Sequence, residues 1–242
     1  MQRTIFTDEH EMFRDAFRQF VDKEIVPGFL QWEADGIVPR ELFAAAGASG
    51  FLGMDVPEEL GGGGVEDFRY NLIIGEELQR SGTGGAGLGI TLHNDICLPY
   101  FTSLCTDEQK QRWLPGICSG ELITAIAMTE PGIGSDLASM GTTAIRDGDR
   151  YVVNGSKTFI TNGARADVGL RHLEGEEAGC TGRFPHVAAD DARLLPLLGP
   201  RHHLAVEEGA VGTAEHLVVI VEDGPRCGGR SHGVSLPRSS RT

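Results

Sequence analysis

The spacing of the apolar residues changes near Ser119, from helical recurrence before it to strand-like recurrence after it. That switch confines the chain to a helical unit followed by a β unit. Upstream, Thr7 is placed to cap a helix whose first turn holds Asp8 and Glu9, favourable at the positive end of the helix dipole. Phe13, Phe17, Phe20 and Val21 follow at helical spacing, and Pro27-Gly28 kinks or ends the run. Pro39 opens a second helix with Leu42, Phe43 and Ala46 on one face, closed by Gly47 or Gly50. Gly61 to Gly64 form a loop. A third helix runs through Tyr70, Ile73, Ile74 and Leu78, and a fourth spans about Gly87 to Ser103. Thr106-Asp107-Glu108-Gln109 has the capping-box pattern that opens a fifth. Downstream, Leu122 to Ala127 reads as a buried strand. Thr142 to Ile145 and Arg150 to Val153 read as a hairpin turning over Asp147-Gly148-Asp149. Asn154-Gly155 is a second turn, and Lys157 to Thr161 reads as a further strand.

Composition matters at one further point. The 72 residues after Leu170 contain no Lys, Asn, Gln, Tyr, Trp or Met and hold six of the eight histidines. Low complexity is one reading of that break. Translation of GC-rich DNA in a shifted frame is the other, and it fits better because codons for Lys, Asn, Tyr and Met are AT-rich. Residues 171–215 are expected to carry little regular structure. Val168-Gly169-Leu170-Arg171-His172 does not read as an apolar strand, whereas Leu217 to Val221 does.

Several function classes are disfavoured. A formal charge of -14, from 21 basic and 35 acidic residues, repels a phosphate backbone, so nucleic-acid binding is not expected. No run of about 18 apolar residues predicts a membrane span. The charged start lacks the pattern of a secretion signal, so a cytoplasmic location is expected, and the five cysteines read as reduced thiols without metal-ligand spacing. Gly82 to Gly87 matches G-x-G-x-x-G but follows a helix rather than a strand, so it does not predict a dinucleotide fold. Asn154-Gly155-Ser156 reads as a turn, His202-His203 as incidental, and Trp32 and Trp113 as core.

The segment with chemical content is Ala127-Met128-Thr129-Glu130-Pro131-Gly132-Ile133-Gly134-Ser135-Asp136. A strand ends at Thr129, and the proline and glycines force a compact loop whose backbone N–H groups can face an anion. Thr129 and Ser135 add hydroxyls. Taken alone, this is a turn between strands. About thirty residues on comes Gly155-Ser156-Lys157-Thr158-Phe159-Ile160-Thr161-Asn162-Gly163. The two segments, together with Ile5-Phe6-Thr7, the stretch from Asp55 to Gly63 and Gly116-Ile117-Cys118-Ser119-Gly120, resemble the acyl-CoA dehydrogenase family over about residues 4–167. The flavour is that of its long-chain branch, in which phenylalanine stands before Ile-Thr.

The resemblance implies a multi-domain α+β fold. An all-helical domain covers residues 4–120, the first part of an incomplete β-barrel or sandwich covers 121–167, and an atypical tail covers 168–242, partly β near 216–236. The family's C-terminal helical domain is absent on this reading. The resemblance also implies an FAD-dependent oxidoreductase that desaturates acyl-CoA thioesters in fatty-acid or branched-chain catabolism, with electron-transfer flavoprotein as partner and a homotetramer in intact relatives. Met128 and Thr129 would line the pyrimidine side of the flavin. Ser135 would sit near the pyrophosphate and the acyl-CoA, and Phe159 would pack on the ring system. Thr161 would place its hydroxyl near the ring nitrogen that accepts hydride, and Ile126, Gly134 and Ile160 complete the cofactor set. None of Glu174, Glu176, Glu177, Glu207 or Glu208 stands in a family-like context for the general base, so no catalytic residue and no metal ligand is assigned. The chain is expected to act as an impaired enzyme, a flavin- or acyl-CoA-binding remnant, or a non-functional fragment.

Overall fold

A computed structural model describes residues 4–147, 150–175, 211–213 and 216–222. Helix α1 (Asp8–Phe20) starts at Thr7, whose backbone N–H and hydroxyl both lie within hydrogen-bond reach of His10 Nδ1, at 3.2 and 2.7 Å. It runs into a π turn over Val21–Ile25 and breaks at Pro27-Gly28. Helix α2 (Phe29–Asp35) stops at Gly36 in the left-handed region, and α3 (Glu41–Ala48) begins just after Pro39. Helix α4 (Arg69–Arg80) carries Ile73, Ile74 and Leu78 inward. The predicted fourth helix begins at Gly84 rather than Gly87. It consists of α5 (Gly84–Thr91), a π turn over Leu92–Cys97 and α6 (Leu98–Leu104).

Helix α7 (Asp107–Ser119) has the predicted cap. Gln109 N–H donates to Thr106 Oγ1 at 3.3 Å, and Thr106 N–H donates to Gln109 Oε1 at 2.9 Å. The helix ends at Gly120, where φ is +76° and an added Cβ would stand 2.1 Å from the Phe43 carbonyl oxygen. Only glycine meets both conditions.

The strands are β1 (Thr124–Ala127), β2 (Thr143–Asp147), β3 (Arg150–Asn154), β4 (Val168–Gly175), β5 (Val211–Thr213) and β6 (His216–Glu222). They form a sheet ordered β3-β2-β4-β6-β5, with β1 also paired to β4. The β2–β3 hairpin closes at Asp147↔Arg150, and β1 lies parallel to β4 from Thr124↔Val168 to Ala127↔Arg171. Strand β4 corrects the reading of 168–172. It is a central strand, because its parallel pairing with β1 carries Val168 to full burial, despite Gly169 and Arg171 interrupting the apolar run. Leu217 to Val221 lies in β6 as expected. Of the span 171–215, the described portions are strand, and the rest lies outside the described residues, as do Cys180, His202, His203 and Cys227. A second correction concerns Lys157 to Thr161, which is not a strand: Phe159 has φ +55°, which no extended chain can accommodate.

One core gathers Phe17, Phe43, Phe51, Ile74, Leu78 and Ile90, with Trp32 partly buried at its edge. A second gathers Phe101, Trp113, Leu114 and Ile117 from the helices with Ile126 of β1 and Val168 of β4. Helices and sheet therefore share packing. The described cysteines Cys97, Cys105 and Cys118 are free and buried, and burial pushes each thiol up to about 12. No helix among the described residues is long and apolar enough to cross a membrane.

Candidate functional site

Strand β1 hands the chain to the Met128–Asp136 loop. Glu130 and Ile133 exchange backbone hydrogen bonds of 3.2 and 3.1 Å, so Pro131-Gly132 forms a two-residue turn. A Cβ added at Gly132 or Gly134 would meet nothing within 4 Å among the described residues. No described neighbour demands glycine at either position, and the backbone there is open to another molecule. Gly134 and Ser135 are exposed, and Met128 and Thr129 are half-buried. Ile126 differs from the other expected ligands. Its side chain is buried in the helix–sheet core, so it supports the loop from below.

The second segment lies alongside. Thr158 N–H donates to the Thr129 carbonyl at 2.9 Å. Lys157 Nζ donates to the Met128 carbonyl and to Glu130 Oε1, both at 2.9 Å. Glu130 also accepts the Gly141 and Thr142 backbone N–H groups at 2.8 and 2.9 Å. Burial alone would raise the Glu130 carboxyl, but hydrogen bonds from Thr142, Lys157 and Gly141 outweigh it and hold the group at about 2.

Beyond this anchor the backbone turns sharply at Phe159, whose side chain is 90% exposed, while Ile160 and Thr161 are half-buried. The turn is fixed from the far side by Asn162, at φ +65° and buried. Its Nδ2 donates to the Gly89 and Thr124 carbonyls at 3.1 and 3.0 Å, and its Oδ1 accepts from Arg165 Nη2 at 2.8 Å.

The fold thus brings the Met128–Glu130 end of the loop against the Lys157-Thr158 step that leads into Phe159, Ile160 and Thr161, with Gly134 and Ser135 exposed farther along the same loop. An apolar ring standing in water, next in the chain to the residue bonded to Thr129, fits a flat ligand that covers the ring. Sequence reasoning gave no role to Lys157, Glu130, Asn162 or Arg165. Asn162-Gly163 was the available signal, since Asn-Gly marks a left-handed turn. The pairing of Glu130 with Lys157 has no local sequence signature. Glu174 lies on β4, the other four candidate bases lie outside the described residues, and Glu130 is fully engaged.

Comparison with known proteins gives the family. The acyl-CoA dehydrogenase N-terminal domain matches residues 7–121, and the acyl-CoA dehydrogenase middle domain matches residues 125–184, beyond Asp167. The mitochondrial long-chain specific acyl-CoA dehydrogenase of Sus scrofa is 42% identical over 166 residues, covering 69% of this chain and 38% of that protein. The acyl-CoA dehydrogenase of Geobacillus kaustophilus superposes with a TM-score of 0.69 at 41% identity, over 92% of this chain and 57% of that one. The Bacillus anthracis acyl-CoA dehydrogenase complexed with FAD superposes with a TM-score of 0.65 at 29% identity, over 93% and 37%. The chain spans less than two thirds of each of these relatives. Both matching domains, in order and over the two segments that form the site, make this chain a member of the acyl-CoA dehydrogenase family.

Proposed function

We propose that this chain supplies the flavin-facing portion of an FAD-dependent acyl-CoA dehydrogenase, acting on the α,β bond of an acyl-CoA thioester and passing electrons to an electron-transfer flavoprotein. The observation that carries the reading is Phe159: a 90% exposed aromatic ring, held in a left-handed backbone, next to the Met128–Ser135 loop. The solved relative complexed with FAD supports the choice of cofactor. FAD, when bound, would supply the acceptor for the β-hydrogen of the thioester, taken as hydride. Phe159 would cover one side of its ring system. Thr129, Ser135 and Thr161 would offer hydroxyls to it, and such donors would stabilise the negative charge that develops there. Ser135, the most open of the three, also faces the acyl-CoA.

Glu130 takes no part in removing the α-proton, because its oxygens are held by Lys157 and two backbone N–H groups. The general base comes from outside the described residues. Because none of Glu174, Glu176, Glu177, Glu207 or Glu208 stands in a family-like context for that base, the chain is expected to bind FAD with little turnover, since a positioned base contributes about a hundred- to ten-thousand-fold.

The test is titration of the chain with FAD, followed by anaerobic addition of acyl-CoAs of several lengths. Saturable quenching of flavin fluorescence with little bleaching supports the reading. Absence of quenching overturns the flavin assignment. Turnover matching an intact relative overturns the placement of the base. Binding without any response to acyl-CoA favours a non-catalytic flavin-binding remnant.

A further inference from the structure

Resting on the flavin reading, we infer that the buried Glu130–Lys157 pair is a clasp that sets the two ligand-facing segments in register, making both side chains positioning residues for the group bound there. The pair is 11% and 4% exposed at its side chains, and its N–O distance is 2.9 Å. Apolar residues of equal volume would fill this space at no greater cost in stability. What they could not do is make the pair's directed contacts.

Those contacts reach three separate stretches of chain. Lys157 Nζ meets the Met128 carbonyl on one side of Thr129 and the Glu130 carboxylate on the other. Glu130 draws in the Gly141 and Thr142 amides, where the chain enters β2. Thr158, the residue after Lys157, donates to the Thr129 carbonyl, and Phe159 follows at once. The distance from the Phe159 ring to Thr129 is therefore set through Lys157. A lysine ammonium donates in three directions and can hold two acceptors on different residues, which one apolar contact cannot. The carboxylate stays ionised well below neutral pH, so the clasp holds throughout the working range.

The experiment compares the wild type with Lys157→Met and with the double variant Glu130→Gln/Lys157→Met. The double variant leaves no buried charge unpaired and preserves side-chain volume. Amide exchange is read without ligand at Thr158, Gly141 and Thr142, with α4 and α7 amides as the reference, and FAD affinity is measured separately. The double variant is expected to keep α4 and α7 protection. Exchange at Thr158 should quicken and FAD affinity fall by about tenfold or more, the scale of losing an outer-shell partner of a bound group. Exchange at Thr158 and FAD affinity within about twofold of wild type would overturn the clasp. Loss of protection throughout α4 and α7 would also overturn it, by assigning the pair to general stability. If the wild type itself does not bind FAD, the flavin reading fails, and the exchange result alone decides whether the pair sets the register.

Discussion

Phe159 bears two costs at once. Its backbone stands at φ +55°, a region that costs a non-glycine residue about 1–2 kcal/mol, and its ring faces water. The bonds of Lys157, Thr158 and Asn162 on either side hold the backbone in place, whereas the exposed ring is left for a molecule that covers it. Phe159→Gly is accordingly expected to leave the ligand-free protein as stable or to stabilise it by up to about 1 kcal/mol. The same change should weaken FAD binding by about tenfold, the scale of one aromatic stacking contact. Urea unfolding without ligand, together with flavin titration, checks both halves. A variant that loses stability and keeps its affinity would show that the ring serves the fold. Ile126 illustrates the opposite case. It directly precedes the motif and belongs to the expected cofactor set, but its side chain is committed to the core that also holds Trp113, so substitution there should act on stability before affinity.

At the scale of elements, the π turn over Leu92–Cys97 buries three consecutive residues, Leu92, His93 and Asn94. Asn94 reaches back to the Phe51 carbonyl at 2.8 Å. His93 bridges forward: Nε2–H donates to the Ile117 carbonyl of α7 at 3.0 Å, and Nδ1 accepts from the Thr124 hydroxyl of β1 at 2.9 Å. Burial lowers the His93 pKa to about 4, against the opposing pull of the Ile117 hydrogen bond. Below its unfolded value, about 6.5, the unfolded chain binds a proton that the folded chain refuses. Stability should therefore fall as pH drops from about 6.5 to about 4, by roughly 3 kcal/mol in all, because each tenfold difference in proton affinity between the two states is worth about 1.4 kcal/mol. His93→Gln, which can present a donor and an acceptor, should flatten that slope in urea unfolding at pH 7, 6 and 5. An unchanged slope would assign it to other groups. Much of this layer was legible from sequence, because the Thr106–Gln109 cap, the α4 stripe and the β2–β3 hairpin are local patterns. The π turn was not, since it changes which face points inward without changing the apolar period. Nor was the turn at Phe159: Thr158, Phe159, Ile160 and Thr161 all favour strands, and tertiary bonds from Lys157 and Asn162 override them.

For the molecule as a whole, the question is whether helices and sheet move as one body. Two domains within a chain move relative to each other by default unless their interface is large and apolar. Here Ile126 and Val168 of the sheet sit inside a helical core, and a polar lattice reinforces them. Arg40 donates to the Glu121 carbonyl at 2.8 Å and to Asp167 at 2.5 Å, and Asp167 accepts the Ile123 amide at 2.9 Å. Arg165 donates to the Val38 carbonyl and lies 5.2 Å from the centre of the Phe43 ring. Asn162 is the centre of this lattice, joining Gly89 of α5 to Thr124 of β1. Asn162→Ala removes the donors to two buried carbonyls and places a Cβ-bearing residue without a polar side chain at φ +65°, and should destabilise by about 3 kcal/mol. Asn162→Gly loses the same hydrogen bonds but tolerates the backbone, so it should cost about 1 kcal/mol less than the alanine change. If helices and sheet form one cooperative unit, both variants shift a single transition. Helical circular dichroism and amide exchange across β1 and β4 should then move together. A variant that loosens the β1–β4 amides while the helical midpoint stays in place would establish two independently unfolding bodies. The ligand-facing loops would then be anchored to the sheet alone, and the helices would act on the site only through packing.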